Sequence, residues 1–448
     1  MTSARSGTGS AGLLESERRS LFYSTGFRIA GTPVIAVCGL VSTAIVVRST
    51  GEAVYGLVSL ITTVGLLLPF ADLGIGAVVT TAVSKSTNLP DDAHAHAVVR
   101  RAYSVLALIA VGLTLLACVI AALDAWGSLL GIRTGPQDRW AITVAVIVWA
   151  WTVPAALNLR LLIGSGRNHH SVVVTMCMSV TGLLLVASAH AAGVRGIWFV
   201  VPPLLGAFLV NVAGTVWVFR LLGRRSILGI GAEDRSTRRP STRTLLQGSF
   251  WLFVISVGVP FGLQSQRVVL AHLSTPMELS AYALAAQLYG VVWAVFSTAG
   301  AALWPIFASR TSVPELVALW KKCVALFAVS AVLASVPFVA LAPFAARVLS
   351  GSEIEVSVSL ATAFAVLLVV QVAHLPTGVL LIQASEARWQ AWCLVAMALT
   401  TSAAAILIVP SGGAPAVVIV TAVSVCVCQL LPGLGRAPAL LARRPEVV

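Results

Sequence analysis

Six side chains fall inside long apolar runs that leave them little access to water: Arg28, Asp72, Gln264, Gln266, Arg267 and His374. Arg28 lies about two helical turns into the first run, roughly 10 Å by helical rise. A guanidinium there grips a phosphate bidentately and stays charged at any cellular pH. The same residue also reads as an interfacial arginine that snorkels back to the surface. Arg267 follows Pro260-Phe261-Gly262 and the polar run Gln264-Ser265-Gln266. Proline and glycine free backbone carbonyls, a feature tolerated where a membrane helix lines a cavity. Gln264, Gln266 and Arg267 therefore read as one polar wall facing a substrate, with Arg28 as a further contact. The other reading of Arg267 places it among lipid headgroups.

Asp72 is the carboxylate deepest in any apolar run, and such acids are expensive in hydrocarbon. It binds a coupling cation, pairs with an arginine to lock one conformation, or satisfies backbone groups at a helix break among Pro69, Gly74 and Gly76. His374, beside Gln371 and Pro376, is the one deep imidazole. It either relays protons or hydrogen-bonds a neighbouring helix. Asp72 and His374 are thus the coupling or gating candidates. Arg48 and Arg160 sit at the ends of runs and read as interfacial. Trp251, Trp293 and Trp304 read as packing or interface aromatics.

The remaining reactive residues form no known constellation. His94, His96, His169 and His170 fall in polar loops without an evident third metal ligand. The seven cysteines form no CxxC pair. The chain has no GxSxG, HExxH or phosphate-binding loop motif. Neither catalysis nor a metal or other cofactor is expected.

The elements that must carry these residues are membrane helices. Of 448 residues, 58% are hydrophobic and 10% charged, against about a quarter charged in soluble domains. The mean hydropathy is +0.95. That composition excludes a soluble enzyme, a disordered chain and a disulfide scaffold. A crossing needs roughly 20 apolar residues. Reading from charge to charge gives 12 spans: 22–47, 55–83, 102–123, 141–163, 171–193, 197–221, 245–272, 279–308, 322–349, 356–384, 389–409 and 414–435. The last two are divided only by Pro410-Ser-Gly-Gly-Ala-Pro415, which is turn chemistry. The long 279–308 and 356–384 runs predict tilted or kinked helices. With the N-terminus inside, 23 of the 29 basic residues face the cytoplasm; Arg48, Arg133, Arg139, Arg195, Arg267 and Arg347 face out. This bias sets the orientation, with both termini cytoplasmic and the polar start a tail rather than a signal peptide. The net charge of +13 reflects those loops and not nucleic-acid binding.

The expected fold is an all-α polytopic membrane protein of about 12 transmembrane helices in two six-helix lobes with a central cleft. The basic stretch after the sixth span divides it into 1–222, a cytoplasmic linker 223–244, and 245–448. A faint repeat supports the division. Ser49-Thr-Gly-Glu52-Ala-Val-Tyr55-Gly-Leu57 is echoed by Ser274-Thr-Pro-Met-Glu278-Leu-Ser-Ala-Tyr282-Ala-Leu284. Each sits between the first and second helix of its half. Six is even, so the halves share one orientation and are related by an axis along the membrane normal.

The stretch from Ser49 to Ser86 resembles the signature of polysaccharide-biosynthesis flippases, the Wzx-like lipid-linked oligosaccharide translocases. The matching residues are Gly51, Glu52, Tyr55 and Gly56, then Asp72-Leu73-Gly74, with weaker echoes at Ala281-Tyr282-Ala283-Leu284 and Leu303-Trp304-Pro305. The resemblance implies the fold of the multidrug/oligosaccharidyl-lipid/polysaccharide exporter superfamily. It further implies a polyprenyl-pyrophosphate-linked oligosaccharide moved from the cytoplasmic to the outer leaflet by alternating access, for cell-surface polysaccharide. Glycosyltransferases or a polysaccharide polymerase would be partners. Many relatives carry an acid near Gln264 to Arg267; this chain has none there, so an ion-coupling role does not transfer. A cation-coupled drug or metabolite antiporter of the same superfamily is the alternative, weakened by the single deep acid. A glycan polymerase or ligase is less favoured, for want of a large external loop. Arginine bias with alanine and valine richness points to a high-GC bacterium and its plasma membrane.

Overall fold

The computed structural model describes residues 15–63, 74–86, 92–131, 135, 137–222, 242–308, 312–381 and 384–441, and every element among them is helical. The first lobe runs α1 (Glu15–Thr50), α2 (Glu52–Thr62), α3 (Ile75–Lys85), α4 (Ala93–Ala122), α5 (Trp126–Leu130), α6 (Asp138–Ala155), α7 (Leu157–Gly164), α8 (Asn168–Ala191) and α9 (Val201–Leu222). The second runs α10 (Thr242–Leu273), α11 (Pro276–Ala301), α12 (Leu303–Ala308), α13 (Val313–Ser350), α14 (Val358–Leu380), α15 (Ala384–Val425) and α16 (Leu431–Leu441). Short helices stand in series within crossings, α6 with α7 and α11 with α12, while α2 and α3 flank residues outside the described ones. Among the described residues nine helices are long and apolar enough to cross a membrane, the last counted across Gly413, in an all-α fold of two six-helix lobes with a cleft.

Local sequence sets the breaks. Gly51 adopts φ 76°, ψ 169°, and Gly413 adopts φ 59°, ψ −155°. Only glycine takes such backbone angles without strain. Gly51 separates α1 from α2, and Gly413 divides α15 into the eleventh and twelfth crossings, at the turn predicted between Pro410 and Pro415. The crossing predicted over 279–308 is interrupted at Ala302. The ninth helix is longer than the predicted 322–349. Pro314 opens it in the first turn, where a missing N–H costs nothing, and Lys321 and Lys322 are exposed residues of the same helix.

Thr275 caps α11, its hydroxyl accepting from the Glu278 N–H at 3.2 Å. Asp92 caps α4, its carboxylate accepting from the Ala95 N–H at 3.0 Å. That backbone bond holds the Asp92 carboxyl below the usual carboxylate range. A carboxyl depressed by folding contributes stability above its unfolded pKa and loses it as pH falls through the folded value. Asp92→Ala is therefore expected to cost about 1 kcal/mol at neutral pH. The gap from wild type should shrink as acid protonates Asp92. Thermal melts of both proteins at neutral and acidic pH read this out; a gap that widens in acid would refute it.

Packing differs at the two ends of the bundle. At the end holding the α1–α2 and α10–α11 connections, one buried apolar cluster spans both lobes. Val47, Tyr55 and Ile61 of the first lobe join Leu279, Leu284 and Phe364 of the second. Toward the opposite end each lobe has a core of its own. Val83, Leu106, Trp149 and Leu161 form one, while Phe307, Trp320, Leu380 and Leu441 form the other. The lobes are fused at the first end, the seam end, and keep separate interiors at the other.

Candidate functional site

The two repeat segments pack against each other across the seam. The Gly56 N–H donates to Ser280 Oγ at 2.8 Å, and that hydroxyl donates to the Glu52 carbonyl. A Cβ added at Gly56 would lie 2.6 Å from Ser280 Oγ and 2.9 Å from the Ser280 backbone nitrogen. Glycine is thus required by the approach of one lobe to the other. Small residues that admit such approaches, with hydrogen bonds across them, are how membrane helices associate without a hydrophobic driving force. Arg48 extends the seam by donating from Nη2 to the Val348 carbonyl at 2.7 Å, and from Nε to Leu349 at 3.3 Å. A ring nitrogen of His272 lies 3.2 Å from the Ser128 carbonyl oxygen, joining α10 to α5.

Arg267 crosses the same seam deeper down. It lies six residues before the end of α10, roughly 9 Å along the helix by its rise per residue. Its Nη1 donates to Ser59 Oγ at 2.9 Å, to the Ser59 carbonyl at 3.3 Å and to Thr63 Oγ1. Its guanidinium carbon stands 5.9 Å from the Tyr282 ring centroid. Its Nε is buried without a hydrogen-bond partner. Among the described residues no carboxylate lies within ion-pairing distance of it. The charge is held by hydroxyls, a carbonyl and an aromatic face, all of which an anion could replace.

The other candidates separate. Gln266, next to Arg267, points into the second lobe's core and is 2% exposed. It donates to Thr421 Oγ1 at 2.6 Å and to the Gly262 carbonyl at 3.1 Å, and accepts from Tyr282 OH at 2.7 Å. Its amide is fully engaged, so it positions Tyr282 beneath Arg267 and does not share a wall with it. Gln264 is half-buried, on the Arg267 side. His374 lies on α14, away from the seam. Arg28 lies within α1, but its side chain is outside the described ones, and Asp72 lies outside the described residues.

Two cavities open inside the lobes. One of about 420 Å³ in the first lobe is lined by Thr32, Leu106, Leu157, Arg160, Asn168 and Ser171 among others. Arg160, expected at the interface, thus borders a cavity. The second, about 300 Å³, lies in the other lobe and includes Trp293, Gln371, His374, Trp389, Gln390 and Gln429. Among the described residues neither lining contains an Asp or Glu. Sequence reasoning missed the seam partners Ser59, Thr63 and Ser280, and Gln429. The hydroxyls of Ser59 in α2 and Thr63 at its C-cap stand four residues apart on one side, a signal that gives no hint of an arginine two hundred residues away. Gly56 was visible only as part of a motif.

Comparisons with known proteins agree with this fold. The family described as polysaccharide biosynthesis protein matches residues 24–310, from α1 through α12. No curated protein matches the sequence. The fold is similar to an inward-facing multidrug resistance MATE family transporter of the MOP superfamily, at TM-score 0.69 and 14% identity over 94% of this chain and 100% of that one. An outward-facing structure of such a transporter gives 0.64 and 15% identity, covering 96% and 97%. The Vibrio cholerae MATE transporter VcmN in its bent form gives 0.60 and 14%, covering 95% and 97%.

Proposed function

The chain belongs to the polysaccharide biosynthesis protein family, and from that premise we propose that it is a transporter moving a polyprenyl-pyrophosphate-linked oligosaccharide across the membrane by alternating access. The observation that carries this reading is Arg267, a cation at membrane depth on the lobe seam with no described carboxylate beside it. Buried cations at such depth are costly and mark substrate or ion pathways. An anionic headgroup is the substrate that this charge favours, and the pyrophosphate supplies it.

In this mechanism the seam end is outward, as the distribution of basic residues requires. The lobes then stand closed to the outside, with the cleft on the cytoplasmic side. A lipid-linked glycan enters with its polyprenyl chain left in the bilayer. Its pyrophosphate competes with Ser59 and Thr63 for the Arg267 guanidinium, which forms bidentate bonds to phosphate. Losing those hydroxyl contacts loosens the seam as the headgroup binds, so that the ligand's binding energy is spent on opening. Thr63 is left satisfied, because its hydroxyl already donates to the Ser59 carbonyl at 2.7 Å. Gln266 holds Tyr282 in place throughout.

The MATE-type neighbours raise a drug or cation antiporter as the competing reading. A cationic substrate calls for a carboxylate, and the described linings of both cavities have none. Depleting the protein in its native cells and quantifying polyprenyl-pyrophosphate saccharides by mass spectrometry tests the proposal. Completed repeat units should accumulate, shielded from an impermeant sugar-modifying reagent. Unchanged levels with normal outer exposure would refute it.

A further inference from the structure

The second lobe contains a cavity of about 300 Å³ that the seam mechanism does not use. It lies between α10, α11, α14, α15 and the turn of π-helix at Cys426–Leu430, within one lobe, and so is independent of how the lobes are placed. Four polar side chains line it: Gln371, His374, Gln390 and Gln429. Two of them are poorly provided for. His374 Nδ1 is buried without a partner. The Gln429 amide, 8% exposed, donates at 2.7 Å to the Met397 thioether, a weak acceptor. Buried polar groups at membrane depth are normally satisfied, and an exception calls for an explanation.

The backbone supplies a second, independent pointer. Gln429 sits within the π-helical turn, and such turns inside α-helices are frequent at functional sites. Gln429 lines the cavity from within this turn. Trp293 and Trp389 also line it, with Ile255, Leu263 and Leu394 among the apolar contributors. Among the described residues the lining holds no Asp, Glu, Lys or Arg, so a formally charged ligand would find no counter-charge among them. A few convergent amides and an imidazole within a largely apolar, indole-bearing wall is the composition of a small-molecule site, and the volume is at the lower end of such sites.

We propose that this cavity is a binding site for one neutral sugar ring carrying an apolar substituent, such as an N-acetylhexosamine. Indole faces, negative at the centre, receive the positive C–H face of a pyranose. Gln429 and His374 exchange their weak or missing partners for ring hydroxyls or the acetamide. The acetyl methyl meets the aliphatic wall. The proposal rests on the glycan-transport reading for its physiological ligand, as a subsite for one sugar of the headgroup.

The test uses full-length protein in lipid nanodiscs, free of sugar-headed detergent, and saturation-transfer NMR with methyl N-acetyl-β-glucosaminide as the probe. Saturation should reach the ring and acetyl protons. Gln429→Leu and His374→Leu should each weaken binding about tenfold, the worth of one hydrogen bond to the ligand. Both should keep or raise the apparent Tm, because each removes a poorly satisfied buried polar group. Gly378→Ala provides a check that leaves those groups in place. Its Cβ would stand at an ordinary 3.6 Å from His374 Nε2, narrowing the cavity, and should also reduce binding. A methyl glucuronide should receive no saturation. The site is overturned by absent transfer to the glucosaminide, by transfer equal in all three variants, or by equal binding of the glucuronide. Glycolipid accumulation on depletion is read separately, so it can stand while this site fails.

Discussion

Replacing Arg267 by methionine is expected to cut transport by about a hundredfold or more, since two charge-assisted hydrogen bonds to a phosphate are worth roughly 3–6 kcal/mol together. The apparent Tm should stay level or rise. That combination separates a working residue from a structural one. The seam bonds of Arg267 to Ser59 and Thr63 hold the lobes together, yet the guanidinium is partly buried and its Nε has no partner. Exchanging a buried charge for an apolar side chain of similar length is often neutral or stabilising. Thr63 keeps its hydroxyl bond to the Ser59 carbonyl whether or not the arginine is present. Arg267→Lys should recover part of the activity: it keeps the charge but presents a point where the substrate needs a fork. Transport assays on the three proteins, with melts in parallel, decide the matter. A methionine variant with wild-type transport would remove Arg267 from the mechanism. One that lost several degrees of Tm along with activity would make it a structural tie.

Gly56→Val is expected to arrest the cycle from the opposite direction. Its first added carbon already meets Ser280 Oγ at 2.6 Å and the Ser280 backbone nitrogen at 2.9 Å. A side chain can turn aside, but the start of α11 cannot, because Thr275 and Pro276 fix it. Overpacking of this kind costs about 1–3 kcal/mol, which moves a two-state equilibrium roughly 5- to 150-fold. The closed seam should give way to the conformation open at this end, and transport should drop to a tenth or less. Each lobe keeps its own core, so the protein should still fold. Spin labels at the exposed Leu129 and Leu273, which flank the seam on opposite lobes, should report a longer distance in the variant. An unchanged distance with full activity would show that this approach is not needed.

The crossings were legible in the sequence because hydrocarbon tolerates few charges, so apolar runs end where helices leave the membrane. That logic does not give helix ends, since Lys321 and Lys322 lie inside α13. Pro314 was the better signal for where α13 begins. The repeat at Tyr55 and Tyr282 was visible as similarity, while its meaning was not. Nothing in either segment says that Gly56 of one meets Ser280 of the other, since that contact depends on how the lobes are docked. The run Gln264-Ser265-Gln266-Arg267 shows a second limit. Polar neighbours look like one wall in a string, but adjacent helical residues point about 100° apart. Gln264 and Arg267 share a side, and Gln266 enters the core. His374 was legible as a deep imidazole, but its cavity needed five separate helical segments brought together.

The most direct measurement of the central claim is translocation by purified protein in liposomes loaded on one leaflet with native polyprenyl-pyrophosphate-linked glycan. An impermeant glycan-modifying enzyme then reads leaflet exposure over time. The wild type should expose the glycan, while Arg267→Met and Gly56→Val should leave it shielded. If the glycan stays shielded with wild-type protein, while the same vesicles move a cationic drug, the chain is an antiporter and the glycan account is wrong.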